Sequence, residues 1–114
     1  MNESTFLRDG GALLDAIEEA VDAAVDAAVD TMGGDIDIER KGAGVLALEF
    51  ENGTHIIVNL QAPMQQIWIA AKAGGFHFAE QGGRWIDTRS GEEFFAVLSA
   101  HVTAQSGQSI SLQR

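Results

Sequence analysis

Nine carboxylates fall between Asp15 and Glu39 with no lysine or arginine among them: Asp15, Glu18, Glu19, Asp22, Asp26, Asp30, Asp35, Asp37 and Glu39. Carboxylates are hard oxygen donors suited to Fe2+, Fe3+, Mn2+, Ca2+ or Mg2+. Neighbours one helical turn apart stand about 5–6 Å apart at Cβ. Two of them can share a cation, but a single helix cannot surround one. The expected chemistry is a set of weak, exposed, water-rich cation sites that respond to salt. The same field would attract a basic protein surface, and its sign argues against nucleic acid.

The remaining candidates for chemistry are sparse. With no cysteine in the chain, disulfides, thiolate zinc sites, cysteine-ligated clusters and thiol catalysis are excluded. No nucleophile elbow, phosphate loop, dinucleotide fingerprint or His-Glu-x-x-His occurs. His55, His77 and His101 are expected on different elements. The acids of Asp35–Glu39 superficially resemble a calcium loop, but the sixth-position glycine and the closing glutamate are missing.

The charge is also unevenly placed. Residues 1–39 hold 11 acids and one base, Arg8, whereas residues 40–114 hold six of each, so the net charge of −10 belongs to the first third. Asp15, Glu18, Glu19, Asp22, Asp26 and Asp30 recur at steps of three or four. On a helix turning about 100° per residue they form a stripe roughly 120° wide. Leu13, Ile17, Ala20, Val21, Ala24 and Ala28 fall mostly on the other side. Six like-charged pairs at these spacings oppose the helix by roughly 1–3 kcal/mol in total. A solvated face is the ordinary alternative; the missing counter-charge favours a working surface. Neutralisation against Arg40, Lys41 or Arg84, or dispersal over separate surfaces, would remove that site.

The elements that must position these groups follow from pattern. The spacing predicts a first helix from an N-cap at Ser4 to about Val29–Thr31. Gly10–Gly11 should fray or kink it, at a cost of about 2 kcal/mol, and Gly33–Gly34 should stop it. Asp35–Arg40 alternates as a strand with Ile36 and Ile38 inward, and Asp37 and Glu39 continue the acid row. Gly42–Phe50 and Thr54–Leu60 flank Asn52–Gly53, a strong hairpin signal. Gln66–Ala71, Gly75–Glu80 and Arg84–Thr88 complete a meander of about six short antiparallel strands. Ser90 and Glu93 have the spacing of a capping box, opening a second helix that runs to about Gln105. Ser106–Arg114 is expected to be loosely held, although Ile110 and Leu112 could dock on the core.

The fold class is therefore α+β, a two-layer α/β sandwich with both helices on one face of the sheet. A single domain over residues 1–114 is expected. Alternation sends Asn59, Gln61, Gln66 and Trp68 to the other, open face, where Trp68 ringed by amides could anchor a partner. No apolar run approaches the roughly 20 residues of a membrane span. The opening MNESTFLRDGG lacks the features of a signal peptide, so a cytoplasmic location is expected.

The run Asn59-Leu60-Gln61-Ala62-Pro63-Met64-Gln65-Gln66-Ile67-Trp68-Ile69-Ala70, followed by Gly74-Gly75-Phe76-His77-Phe78, resembles the signature of the frataxin family, in its bacterial branch. The likeness extends to Ile17-Glu18-Glu19, Asp22, Asp35-Ile36-Asp37, Glu39, Phe50-Glu51-Asn52-Gly53 and Arg84-Trp85-Ile86. It implies two helices over an antiparallel sheet and a non-enzymatic iron-binding accessory of iron–sulfur cluster assembly. Iron, as Fe2+ or Fe3+, would bind weakly on the acid ridge. The partners implied are the cysteine desulfurase and the iron–sulfur scaffold assembly, the ridge meeting a basic patch and modulating the desulfurase. Glu18, Glu19, Asp22, Asp35, Asp37 and Glu39 match the family's ridge, while Asn59, Gln61, Gln66 and Trp68 match its sheet-face contacts. Asp15, Asp26 and Asp30 join the metal set on periodicity. A monomer is expected, or an oligomer that forms with iron.

The chain departs from the family at three places. Leu60 replaces a usual Lys or Arg, implying lost charge on the sheet face; Leu7 replaces a histidine of some bacterial members; and Val25–Asp30 is alanine-rich. Two alternatives remain at this level. One is ferroxidase and iron-storage activity, which wants a compact di-iron centre with interior Glu and His ligands. The other is a haem-binding regulator, with His77 among Phe76 and Phe78 as axial ligand.

Overall fold

The computed structural model describes residues 2–27 and 36–114. Helix α1 spans Glu3–Ala27; strands β1 (Ile36–Lys41), β2 (Val45–Phe50), β3 (His55–Gln61), β4 (Gln66–Ala71), β5 (Gly74–Gln81) and β6 (Arg84–Asp87) follow, and helix α2 spans Phe94–Ser106. A 3-10 turn at Ala62–Met64 joins β3 to β4. The six strands form one antiparallel sheet in sequence order.

Both helices pack on one face of this sheet, as the patterning requires. Ile36, Leu46, Leu48, Ile56, Val58, Ile67, Ile69 and Phe78 point inward and meet Leu13, Leu14, Ile17 and Val21 of α1 and Phe94, Leu98 and Val102 of α2 in one core cluster. Each such side chain contributes about 1.5–3 kcal/mol by leaving water. The Asn52–Gly53 turn closes the β2–β3 hairpin, with Glu49 opposite His55. Gly53 takes a φ of 84°, where a Cβ would be strained.

Several local expectations are corrected. Asn2, not Ser4, caps α1: its Oδ1 accepts the Thr5 N–H at 2.8 Å. Gly10–Gly11 lies within a helix that runs uninterrupted from Glu3 to Ala27, not at a frayed start. A Cβ on Gly10 would stand 2.9 Å from Leu60 Cδ2, so glycine lets α1 approach the sheet. Leu60 accordingly lies on the inner face, and its replacement of a basic residue takes no charge from the open face. The helix end at Val29–Thr31, the stop at Gly33–Gly34, and Asp30 and Asp35 lie outside the described residues.

The second helix begins later than the capping box suggests. Asp87 is buried and its Oδ1 accepts the N–H groups of Arg89 and Ser90, at 2.7 and 3.1 Å, which holds that segment as a turn. An isolated antiparallel bridge between Ile86 and Glu93 holds Glu93 beside β6, outside the helix. Glu93, at φ −81° and ψ 147°, is then the N-cap, its Oε2 accepting the Phe95 N–H. The C-terminal segment is also firmly tied. Ser99 Oγ both accepts the Leu112 N–H and donates to its carbonyl, and Thr103 Oγ1 does the same with Ile110. Leu112 is buried as a result.

Candidate functional site

Two surfaces carry the residues singled out by the sequence. On α1, Asp15, Glu19, Asp22 and Asp26 are exposed and Glu18 is half-buried. Asp37 and Glu39 are exposed on β1, but alternation sends them to the outer sheet face, while Ile36, Ile38 and Arg40 face the helices. The acid row is therefore divided at the edge strand β1 between a helix surface and a sheet surface.

Part of it is also neutralised. Arg40 Nη1 donates to Asp15 Oδ1 at 3.0 Å and to Glu18 Oε1 at 3.2 Å. The hydrogen bond to Asp15 is the main reason that the guanidinium is held further into its charged range. Lys41 Nζ lies 3.5 Å from Glu39 Oε1. Arg84, the third suspected counter-ion, forms no ion pair among the described residues. Glu19, Asp22, Asp26 and Asp37 have no ion pair among the described residues either, and they form the open part of the row.

These acids do not build a cage. Among the described residues no group of three or more His, Asp or Glu side chains is placed to hold a metal ion. What the surface offers is a field of single carboxylates and adjacent pairs able to share a hydrated cation. Sequence reasoning missed two neighbours of Asp37. The β1–β2 and β2–β3 registers place Glu49 between Asp37 and His55, and His55 Nε2 lies 3.6 Å from Glu49 Oε2. The Asn52–Gly53 turn carried that signal, because it fixes Glu49 opposite His55.

The second candidate surface is assembled as expected, with an addition. Asn59 pairs with Trp68, and Gln61 with Gln66, so all four project together on the outer face. Trp68 is half-buried. Its indole N–H donates to Gln66 Oε1 at 2.9 Å, and its ring stacks on His77 with centroids 4.3 Å apart. His77 had been placed among Phe76 and Phe78; both of those point to the helix side and His77 to the outer face. His101, on α2, lies 4.5 Å from the Phe76 ring. Burial pushes its imidazole below the usual range, opposed by Glu92. No helix of the described residues is long and apolar enough to cross a membrane.

The model of the frataxin-like domain matches residues 1–108. An iron-sulfur cluster assembly protein CyaY from Paraburkholderia phytofirmans is 60% identical over 110 residues, covering 96% of each chain. One from Cupriavidus pinatubonensis is 54% identical over 112 residues, covering 98% of this chain and 96% of its own. Among solved structures, a frataxin from Psychromonas ingrahamii aligns over the whole of both chains with a TM-score of 0.82 and 35% identity. A trimeric frataxin from Saccharomyces cerevisiae, complexed with ferrous iron, shares the fold with a TM-score of 0.68 and 24% identity, over 88% of this chain and 87% of its own. The meander under two helices, the Asn59–Ala70 run and these matches agree: this chain belongs to the frataxin family.

Proposed function

We propose that this chain is an iron-binding accessory of iron–sulfur cluster assembly, non-enzymatic and cytoplasmic, that docks on a cysteine desulfurase and modulates it. The observation that carries the reading is the open part of the acid row, Glu19, Asp22 and Asp26 on α1 and Asp37 on β1, in a chain closely similar to proteins named for that assembly. Iron here is cargo. Isolated surface carboxylates hold a hydrated ion weakly enough to release it, which suits delivery better than storage. The same charges would steer a basic patch of the desulfurase, with Asn59, Gln61, Gln66 and Trp68 as the sheet-face contacts. Asp15, Glu18 and Glu39 contribute less to an open surface than the sequence suggested, being paired with Arg40 and Lys41.

A ferroxidase would need interior Glu and His ligands. The buried polar residues described are Asp87 and Gln105, both engaged in hydrogen bonds, which lends that alternative no support. For haem, the stacking of His77 on Trp68 replaces the aromatic enclosure that had suggested it.

The test is an anaerobic Fe2+ titration followed by amide resonances, then a titration with the desulfurase. Signals from Glu19 to Asp26 and around Asp37 should broaden with iron and shift with the enzyme. Replacing Glu19 and Asp22 by Lys should abolish both responses, and persistence of both in that variant would sink the reading.

A further inference from the structure

Arg40 stands where the alternation of β1 calls for a third apolar residue after Ile36 and Ile38. β1 is an edge strand, so its inner face at position 40 opens toward the flank of α1 rather than into the core. The guanidinium reaches across that gap, and one nitrogen, Nη1, serves both Asp15 Oδ1 and Glu18 Oε1. Two carboxylates about one turn apart around a single positive centre form the arrangement a small cation would otherwise adopt. Stability does not account for it. The Arg40 side chain is 33% exposed and those of Asp15 and Glu18 are 73% and 42% exposed, and ion pairs at such exposure contribute little. The larger consequence is local: two acids are taken from the field that an incoming ion or basic partner meets.

We propose that Arg40 is a built-in counter-ion that closes the Asp15–Glu18 pair to external cations and so sets it apart from the unpaired acids Glu19, Asp22 and Asp26 of the same helix. The inference rests on the proposed cation-binding role of this surface and assigns its regulation to one residue. Arg40 acts through the two carboxylates and is a specificity-determining group, not a ligand.

The test uses Ca2+, an oxygen-seeking and diamagnetic probe whose effects stay local. It follows the side-chain carboxyl 13C shifts of Asp15, Glu18, Glu19 and Asp22 at fixed ionic strength. In the unaltered chain Glu19 and Asp22 should move well before Asp15 and Glu18. In Arg40→Gln, Asp15 and Glu18 should move together, at a Ca2+ concentration on the order of fivefold lower than in the unaltered chain. Arg40→Lys keeps the charge and should respond like the unaltered chain. An unchanged response of Asp15 and Glu18 in Arg40→Gln overturns the proposal, as does equal opening of that pair in Arg40→Lys. Silence of Glu19 and Asp22, with Asp15 and Glu18 opened in Arg40→Gln, would count against the proposed function and leave the role of Arg40 standing.

Discussion

The indole of Trp68 lies almost parallel to the imidazole of His77, the planes 13° apart and the centroids separated by 4.3 Å. The β4–β5 register makes these residues direct cross-strand partners, and Gln66 also fixes the indole by accepting its N–H. Trp68 is thus held in one orientation on the open sheet face before any partner arrives. An anchor ordered in advance loses less conformational freedom on binding.

Trp68→Ala should weaken desulfurase binding about tenfold or more, in the range of an interface anchor. His77→Ala should cost less, about 0.5–1.5 kcal/mol, because it removes only the stacking support. Neither change touches the core cluster, so thermal stability should shift little. Calorimetric titration of both variants with the enzyme checks this. Equal affinity for Trp68→Ala and the unaltered chain would remove the sheet face from the interface.

The two adjacent glycines of α1 should respond unequally to alanine. A Cβ at Gly11 meets nothing within 4 Å, whereas one at Gly10 meets the Leu60 methyl groups at 2.9 and 3.0 Å. Gly11→Ala should therefore stabilise the fold by about 0.5–1 kcal/mol through helix propensity alone. Gly10→Ala should gain less, because Leu60 must turn aside to admit it. A larger residue such as Gly10→Leu should cost about 1–3 kcal/mol by overpacking. Urea unfolding of the three variants orders them directly.

That contrast marks where the sequence was legible. Alternation in the strands and the Asn52–Gly53 turn set the meander and both sheet faces, because period-two patterning fixes which side chains share a surface. The acid stripe on α1 was legible for the same reason at period 3.6. Gly10 could not be told from Gly11, since only the packing distance to Leu60 separates them. Arg40 was suspected as a counter-ion, but whether it reached Asp15 and Glu18 depended on β1 being an edge strand beside the flank of α1. The start of α2 was misplaced because Asp87, three residues before Ser90, takes the Ser90 N–H for its own turn.

Ser99 and Thr103, one turn apart on α2, each hold one residue of the final segment through a donated and an accepted hydrogen bond. Replacing both with Val keeps the branching volume of Thr103 but removes all four bonds. A loss of about 2–4 kcal/mol is expected, most of it from backbone groups left unpaired. Amide exchange at Ile110 and Leu112 should accelerate together. Leu112→Ala, which empties a buried position, should cost about 2–5 kcal/mol. Should the double variant unfold at the same urea concentration as the unaltered chain, the segment would be a passive tail.

His101 gives the fold a pH dependence whose sign can be worked out. Burial against Phe76 lowers its folded pKa, and Glu92 only partly opposes this. The unfolded chain, with an ordinary imidazole near about 6.5, therefore binds the proton more readily than the folded one. Stability from this group is complete above the unfolded value and declines as pH falls through it toward the lower folded value. Acidification in that window should reduce the unfolding free energy of the unaltered chain. His101→Phe keeps the ring on Phe76 without the titration and should flatten the slope, leaving stability at pH 8 close to the original. Parallel urea titrations across pH 5–8 measure the difference. A slope that survives in His101→Phe would assign it to other groups.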